Sequence, residues 1–278
     1  MFMFTRTRPL AISAAMTAVL VTSLTACGQT TASGPGGASP SSPAPATPAT
    51  PGASAPGSPP RASAADQLTG FFTAAAAADA RLKHAAALVN GGIGSTTMSF
   101  PPATLAALGQ LDTTAAARAI PGGMPAELLR RVLLVYSDLE SRTCAFDGIL
   151  RQPHGTGPVN SDEGREILSC LRNGAPAAAR FAADLAAARS AARATQPLAV
   201  AGPDSRTAAE VAIRVAAINS VNSGCDSCGG FVSTSLWPIS WQPASDPVAG
   251  RSDGTINGVR FRADYRAGHG WQVVLWAC

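Results

Sequence analysis

From Ser63 onward the apolar positions recur at helical spacing, and only in the last quarter of the chain does the period fall to two. Ser63 followed by Asp66 reads as an N-cap pair. Leu68, Phe71, Phe72, Ala75, Leu82, Ala86 and Val89 then mark one helical stripe, which Asn90-Gly91-Gly92 stops. A second helix is expected over about 102–119 with Leu105, Leu108 and Leu111, ended by Pro121-Gly122-Gly123. Pro125 at the first helical position opens a third, with Leu128, Leu129, Val132, Val135, Tyr136, Leu139 and Phe146 on one stripe. After a loop at 151–160, Ser161 caps a fourth helix, where Asp162 and Glu163 meet the positive end of the helix dipole. Asn173-Gly174 and Pro176 are expected to break or kink it before 175–194 continues around Phe181 and Leu185. These signals describe an antiparallel bundle of four to five helices over 64–195.

Residues 196–204, with Pro197, Gly202 and Pro203, read as a joint to a smaller unit at 205–278. Thr207-Ala208-Ala209-Glu210 has the form of a capping box, and Val211, Val215 and Ile218 make the stripe of one helix ending near Gly224. Val259, Phe261, Ala263 and Tyr265 then alternate with Arg260, Arg262, Asp264 and Arg266, the pattern of a half-buried strand. A turn at Ala267–Gly270 leads into a second strand over Trp271–Ala277, so the two form a hairpin. Phe231–Trp237 is a third strand candidate, and Asp253-Gly254 and Asn257-Gly258 supply tight-turn chemistry. The fold class expected is α+β: a helical bundle, then a small domain of one helix and an antiparallel sheet. Over about 75 residues this order, ending in Gly270-Trp271-Gln272-Val273, resembles cystatin-like and nuclear-transport-factor-like sheets, without a diagnostic motif.

The first 63 of the 278 residues have another character. Arg6 and Arg8 precede an apolar run from Leu10 to Leu24 that is too short to span a bilayer. The run ends in Leu24-Thr25-Ala26-Cys27, which resembles the lipobox of bacterial membrane lipoproteins. That resemblance implies a signal peptide at 1–26, cleavage before Cys27 and acylation of the Cys27 sulfur. The protein is then expected on the outer face of the cell membrane, attached through its N-terminal lipid, because two or more acyl chains hold where one does not. Residues 28–63 carry nine prolines and, apart from Arg61, no charge, so they read as a disordered tether. Fully extended as polyproline II, those 36 residues reach about 110 Å.

Composition narrows the function classes. Lys83 is the only lysine beside 20 arginines, a bias of GC-rich, actinobacterial-like genomes. The formal charge of +4 includes Arg6 and Arg8; without them 19 basic residues face 17 acidic ones. That balance lacks the clustered basic footprint of a nucleic-acid binder. The chain has no HExxH, no GxSxG, no phosphate-binding Gly-Lys-Ser/Thr loop and no GxGxxG. No catalytic residue, metal or cofactor is assigned from it.

With Cys27 acylated, Cys144, Cys170, Cys225, Cys228 and Cys278 remain, in a compartment where disulfides are the rule. Cys144 and Cys170 lie symmetrically about the loop between the third and fourth helices, so antiparallel packing sets them side by side. Cys278 is expected to pair with Cys225 or Cys228, and a Cys225–Cys228 bridge is the next choice. A thiol-redox, metal-binding or hydrolytic centre built on Cys225, Cys228, Cys278 and His269 is the alternative reading. The redox form suffers because the motif follows a helix C-terminus, whose dipole raises a thiol pKa. The candidate binding surface is Trp271, Trp276, His269, Arg260, Arg262 and Arg266, facing an unidentified cell-envelope polymer or protein. Trp271 and Trp276 are five apart on a strand and point to opposite faces, so one core cannot take both. The functional expectation is a lipid-anchored, extracytoplasmic binding or structural protein.

Overall fold

Ser63 starts the fold as its sequence signature requires. Its Oγ accepts from the Asp66 N–H at 3.2 Å, and the Asp66 carboxylate accepts from the Ser63 N–H at 3.2 Å. The computed structural model describes residues 61–199, 201–222, 236–242 and 250–276. The capping box opens α1 (Ala64–Gln67), and α2 (Thr69–Gly92) follows directly, burying Phe71, Phe72, Ala75, Ala78, Leu82, Ala85 and Val89. Each large apolar side chain taken fully out of water stabilises by about 1.5–3 kcal/mol, so this stripe commits α2 to the core.

The helix expected over 102–119 is two: α3 (Pro102–Gly109) and α4 (Thr114–Arg118). Between them Asp112 Oδ1 accepts from the Thr114 N–H at 2.8 Å, a local bond that competes with helix continuation. Thr113 turns inward, and its hydroxyl donates to the buried Glu140 carboxylate. The third helix also divides, into α5 (Ala126–Glu140) and α6 (Cys144–Arg151), so Phe146 belongs to α6 rather than to the α5 stripe. Pro125 is the N-cap of α5, one place before the expected position. At the break, the Ser141 and Thr143 hydroxyls donate to the carbonyls of Asp138 (3.3 Å) and Glu140 (2.9 Å), near the helix end where carbonyls run out of i+4 partners.

Part of the loop at 151–160 is ordered as β2 (Thr156–Pro158), which pairs antiparallel with β1 (Thr97–Ser99) and closes over the buried Met98. Ser161 then caps α7 (Asp162–Ala194), its Oγ accepting from the Gly164 N–H at 3.0 Å. α7 is not broken at Asn173-Gly174 or Pro176; it runs through all 33 residues. The proline forfeits one backbone bond, but packing along α5 and α6 holds the helix on course. At Gly174 α7 passes close to the α5–α6 break: a Cβ there would lie 3.2 Å from the Ser141 carbonyl oxygen and 3.4 Å from the Arg142 Cα. The same approach brings Cys144 and Cys170 together as a disulfide, with Cα atoms 5.6 Å apart.

The C-terminal part is α8 (Arg206–Asn222) and a four-stranded antiparallel sheet in the order β3-β4-β5-β6. The strands are β3 (Ile239–Trp241), β4 (Arg251–Ile256), β5 (Val259–Arg266) and β6 (Gly270–Trp276). The protein is thus α+β, with its helical region before the sheet, and the β5–β6 hairpin stands where alternation put it. Three local expectations shift. The cap of α8 is Ser205, whose Oγ accepts from the Ala208 N–H at 3.2 Å, and Glu210 is engaged by Arg214 instead of closing a box on Thr207. Asp253-Gly254 lies inside β4, not in a turn, because Asp253 takes Arg262 across the strands and Gly254 makes room for Phe261. Only Asn257-Gly258 turns, both residues at positive φ (48° and 82°) as a tight two-residue hairpin needs. Of the Phe231–Trp237 candidate, residues 231–235 lie outside the described residues, and the described edge strand begins at Ile239.

One core fills the helical region and includes Val211 and Ile218 of α8. A second, smaller one sets Ile213 and Ala217 of α8 against Ile256, Phe261 and Ala263 of the sheet. α8 is therefore apolar on two sides. Between them Arg214 is buried, bonded to Glu210 (2.8 Å) and donating to the Trp237 carbonyl at 2.7 Å.

Candidate functional site

The register of the sheet sorts its residues. Ile256, Phe261 and Ala263 point to α8, with Trp241 edge-on to Phe261 at 5.5 Å. The alternate positions form the other face: Arg251, Asp253 and Thr255 on β4, Arg260, Arg262 and Asp264 on β5, and Gln272, Val274 and Trp276 on β6. No described element covers this face. Trp276 is directly opposite Arg260, and Val274 opposite Arg262. Both apolar side chains stand out of the fold, at 47% and 48% exposure.

Electrostatics organise the face around Trp276. The guanidinium carbons of Arg262 and Arg260 lie 5.5 and 5.8 Å from its ring centroid. Asp253 accepts from Arg262 at 3.0 Å and from Arg251 at 3.2 Å. Partial burial pushes the Asp253 carboxyl up, but the two guanidiniums outweigh it and hold the group below its ordinary value. Arg260 has no carboxylate partner among the described residues, and its guanidinium lies over the Trp276 ring. The arrangement is a flat platform with two oriented guanidiniums, an exposed indole and carboxylate, amide and hydroxyl groups around them.

The sequence-derived surface set is divided by this geometry. Arg260, Arg262 and Trp276 come together. Arg266 pairs with Gly270 at the far end of the hairpin, next to exposed His269, about 20 Å of strand away from Trp276. Trp271 faces the opposite side, tilted against Tyr265 at 5.5 Å, and its indole N–H donates to the Pro203 carbonyl at 3.0 Å. Trp271 is thus a packing residue, and the face gains Val274, Gln272 and Asp253. Strand alternation alone would have placed Val274 and Gln272 there. Asp253 was hidden by its reading as a turn residue. Cys27, Cys225, Cys228 and Cys278 lie outside the described residues, and so does any site built on them. Among the described residues no group of three or more His, Cys, Asp and Glu is placed to hold a metal, and no helix is long and apolar enough to cross a membrane.

The helical region holds the buried charges. Arg142 donates to Asp79 at 2.6 Å, and Lys83 lies 2.8 Å from the other carboxylate oxygen. Tyr136 bonds Glu140 at 3.1 Å and lies 2.9 Å from the Asn219 amide of α8; burial, then the Glu140 charge, holds its hydroxyl far above the usual range. Asp138 accepts from Arg180 at 2.8 Å, and its Oδ2 has no hydrogen-bond partner. An open groove of about 410 Å³ between α2 and α7 is lined by Asp79, Phe181, Leu185, Arg189 and Arg193. Its polar groups are already engaged in part, Asp79 by Arg142 and Lys83, and Arg189 over the Phe72 ring at 5.5 Å. These groups brace helix contacts, whereas those of the sheet face point to solvent. No protein-family model, no curated protein and no solved structure matches this chain, so the chemistry of the face is read from its own residues.

Proposed function

We propose that this is a lipid-anchored protein of the bacterial cell envelope that acts by binding, through the open face of its C-terminal sheet. The observation that carries the binding role is Trp276, half exposed, with the guanidinium carbons of Arg260 and Arg262 5.8 and 5.5 Å from its ring centroid. A sheet that needed only solubility would place polar residues there, since exposed large apolar neighbours mark recognition surfaces. The anchor rests on Leu24-Thr25-Ala26-Cys27 after a short apolar run, followed by the proline-rich tether. In this reading the acyl chains fix the protein to the outer leaflet and the tether lets the folded region search the space above it. The test is metabolic labelling of the full chain in a bacterial host with a clickable palmitate analogue. The wild-type chain takes up label and sediments with membranes, and Cys27→Ala does neither. Label retained by Cys27→Ala, or none in the wild type, overturns the anchoring reading.

A further inference from the structure

We infer that the open sheet face binds a linear, carboxylated glycan, whose acid groups lie on Arg260 and Arg262 while a sugar ring rests on Trp276. This inference rests on the binding role proposed above and names its ligand class. Four arginines (251, 260, 262, 266) and two aspartates (253, 264) lie on this face, so it attracts anions. Arg260 and Arg262 are two residues apart on one strand, hence about 7 Å apart along it, and both are oriented by the same indole ring. Guanidiniums held in this way meet carboxylates with less loss of side-chain freedom than free ones.

The shape of the face selects an extended ligand. Small molecules are taken in concave pockets, whereas this platform is the outer surface of an antiparallel sheet. Its chemistry separates glycan from other polyanions. Asp253, Asp264, Gln272 and Thr255 surround the arginines and supply acceptors for hydroxyl donors. A sugar chain offers such donors throughout. A phospholipid surface or a nucleic-acid backbone offers its negative charge with fewer hydroxyl donors for these acceptors. The exposed indole face, electron-rich at its centre, receives the C–H face of a sugar ring, and Val274 extends that apolar strip along β6.

The experiment uses the full chain carrying Cys27→Ala, so that no acyl chain contributes and failure here leaves the anchoring reading to its own labelling test. Binding to polygalacturonate, dextran and phosphatidylglycerol vesicles is measured for this protein and for Arg260→Gln, Trp276→Ala and Arg118→Gln made on it. Arg118 is an exposed arginine of α4, outside the sheet. The expected result is binding of polygalacturonate that weakens with salt, with no measurable binding of dextran or vesicles. Arg260→Gln and Trp276→Ala each weaken it by about tenfold, and Arg118→Gln leaves it unchanged. Absence of binding to polygalacturonate, equal binding of dextran, or equal loss in Arg118→Gln overturns the inference. Vesicle binding that is lost in Arg260→Gln also overturns it and assigns the face to lipid head groups.

Discussion

The proton on Asp138 gives the sharpest test of how the helical region is held together. Asp138 of α5 faces α7 with only 4% of its side chain exposed. Oδ1 accepts from Arg180, Oδ2 is orphaned, and Asp184 lies alongside on α7, itself 4.0 Å from Arg180. Arg130 of α5 also faces Asp184, whose charge, after the Glu127 bond, helps hold the Arg130 guanidinium protonated. Burial, then the adjacent Asp184 carboxylate, pushes the Asp138 pKa up to about 7, against the pull of Arg180. A protonated Asp138 resolves the orphan, because its O–H can donate to Asp184.

The sign of the linkage follows from that shift. Between about pH 4 and pH 7 the folded state keeps a proton that the unfolded chain has lost, so stability falls as pH rises through this window. The contribution is complete below pH 4 and gone above pH 7. At about 1.4 kcal/mol per unit the full window is worth about 4 kcal/mol. Solvent reaching the pair along Arg180, which is 59% exposed, reduces this to about 2 kcal/mol. Asp138→Asn cannot ionise, yet it keeps an acceptor for Arg180 and a donor for Asp184. Urea melts of both proteins at pH 4, 6 and 8 should therefore nearly coincide at pH 4. At pH 8 the variant should be more stable by about 2 kcal/mol. Parallel pH curves, or a variant less stable at pH 8, would show that the Arg180 ion pair governs the site and would refute the reasoning.

Other consequences concern stability. Reducing Cys144–Cys170, which closes a separation of 26 residues, should lower the free energy of unfolding by about 3.5 kcal/mol in the chain-entropy picture; urea midpoints with and without reductant measure it. Asp79→Ala strands Arg142, whose side chain is 6% exposed, and should cost about 3–5 kcal/mol, whereas Arg142→Met leaves Asp79 with Lys83 and should cost less; equal losses would contradict this asymmetry. Gly174→Leu should destabilise by about 1–3 kcal/mol through contact with the α5–α6 break, while Gly174→Ala stays near neutral as helix propensity offsets the tight Cβ. Thermal melts should separate the tryptophans of β6: Trp271→Ala loses packing and a bond to Pro203, and Trp276→Ala costs under about 1 kcal/mol.

The parts of the fold that were legible in the sequence are those set by neighbours in the chain. Ser63 with Asp66, Ser161 before Asp162, and Asn257-Gly258 act within four residues, and each works as its local chemistry dictates. The β5–β6 hairpin was equally readable, because period-two alternation fixes which side chains share a face. The errors lie where a distant partner decides. Asn173-Gly174 looks like a stop signal until α7 packs on the α5–α6 break, where Gly174 lies close against Ser141 and Arg142. Asp253-Gly254 looks like a turn until Arg262 and Phe261 come across from β5. The grouping of Arg260 and Arg262 was visible from spacing alone. Their shared hold on Trp276, and its separation from His269 and Arg266, depended on the β5–β6 register.

That register also explains why the sheet rather than the bundle carries the candidate site. α8 packs on the helical core through Val211 and Ile218 and on the sheet through Ile213 and Ala217, so it can cover only one sheet face. In the bundle, charged groups meet across helix contacts, as Asp79 with Arg142 and Asp138 with Arg180, and are consumed in holding α2, α5 and α7 in place. On the outer sheet face Asp253 meets Arg251 and Arg262 within hydrogen-bonding distance, but Arg260 is left to an aromatic ring that is itself half exposed. A guanidinium on an exposed indole adds little to folding, since a solvated cation–π contact is worth only about 0.5–1 kcal/mol. The same pair becomes worth more when a ligand displaces its water, up to about 2 kcal/mol. In the proposed complex the Arg260–Trp276 pair therefore contributes more than it does to the free fold.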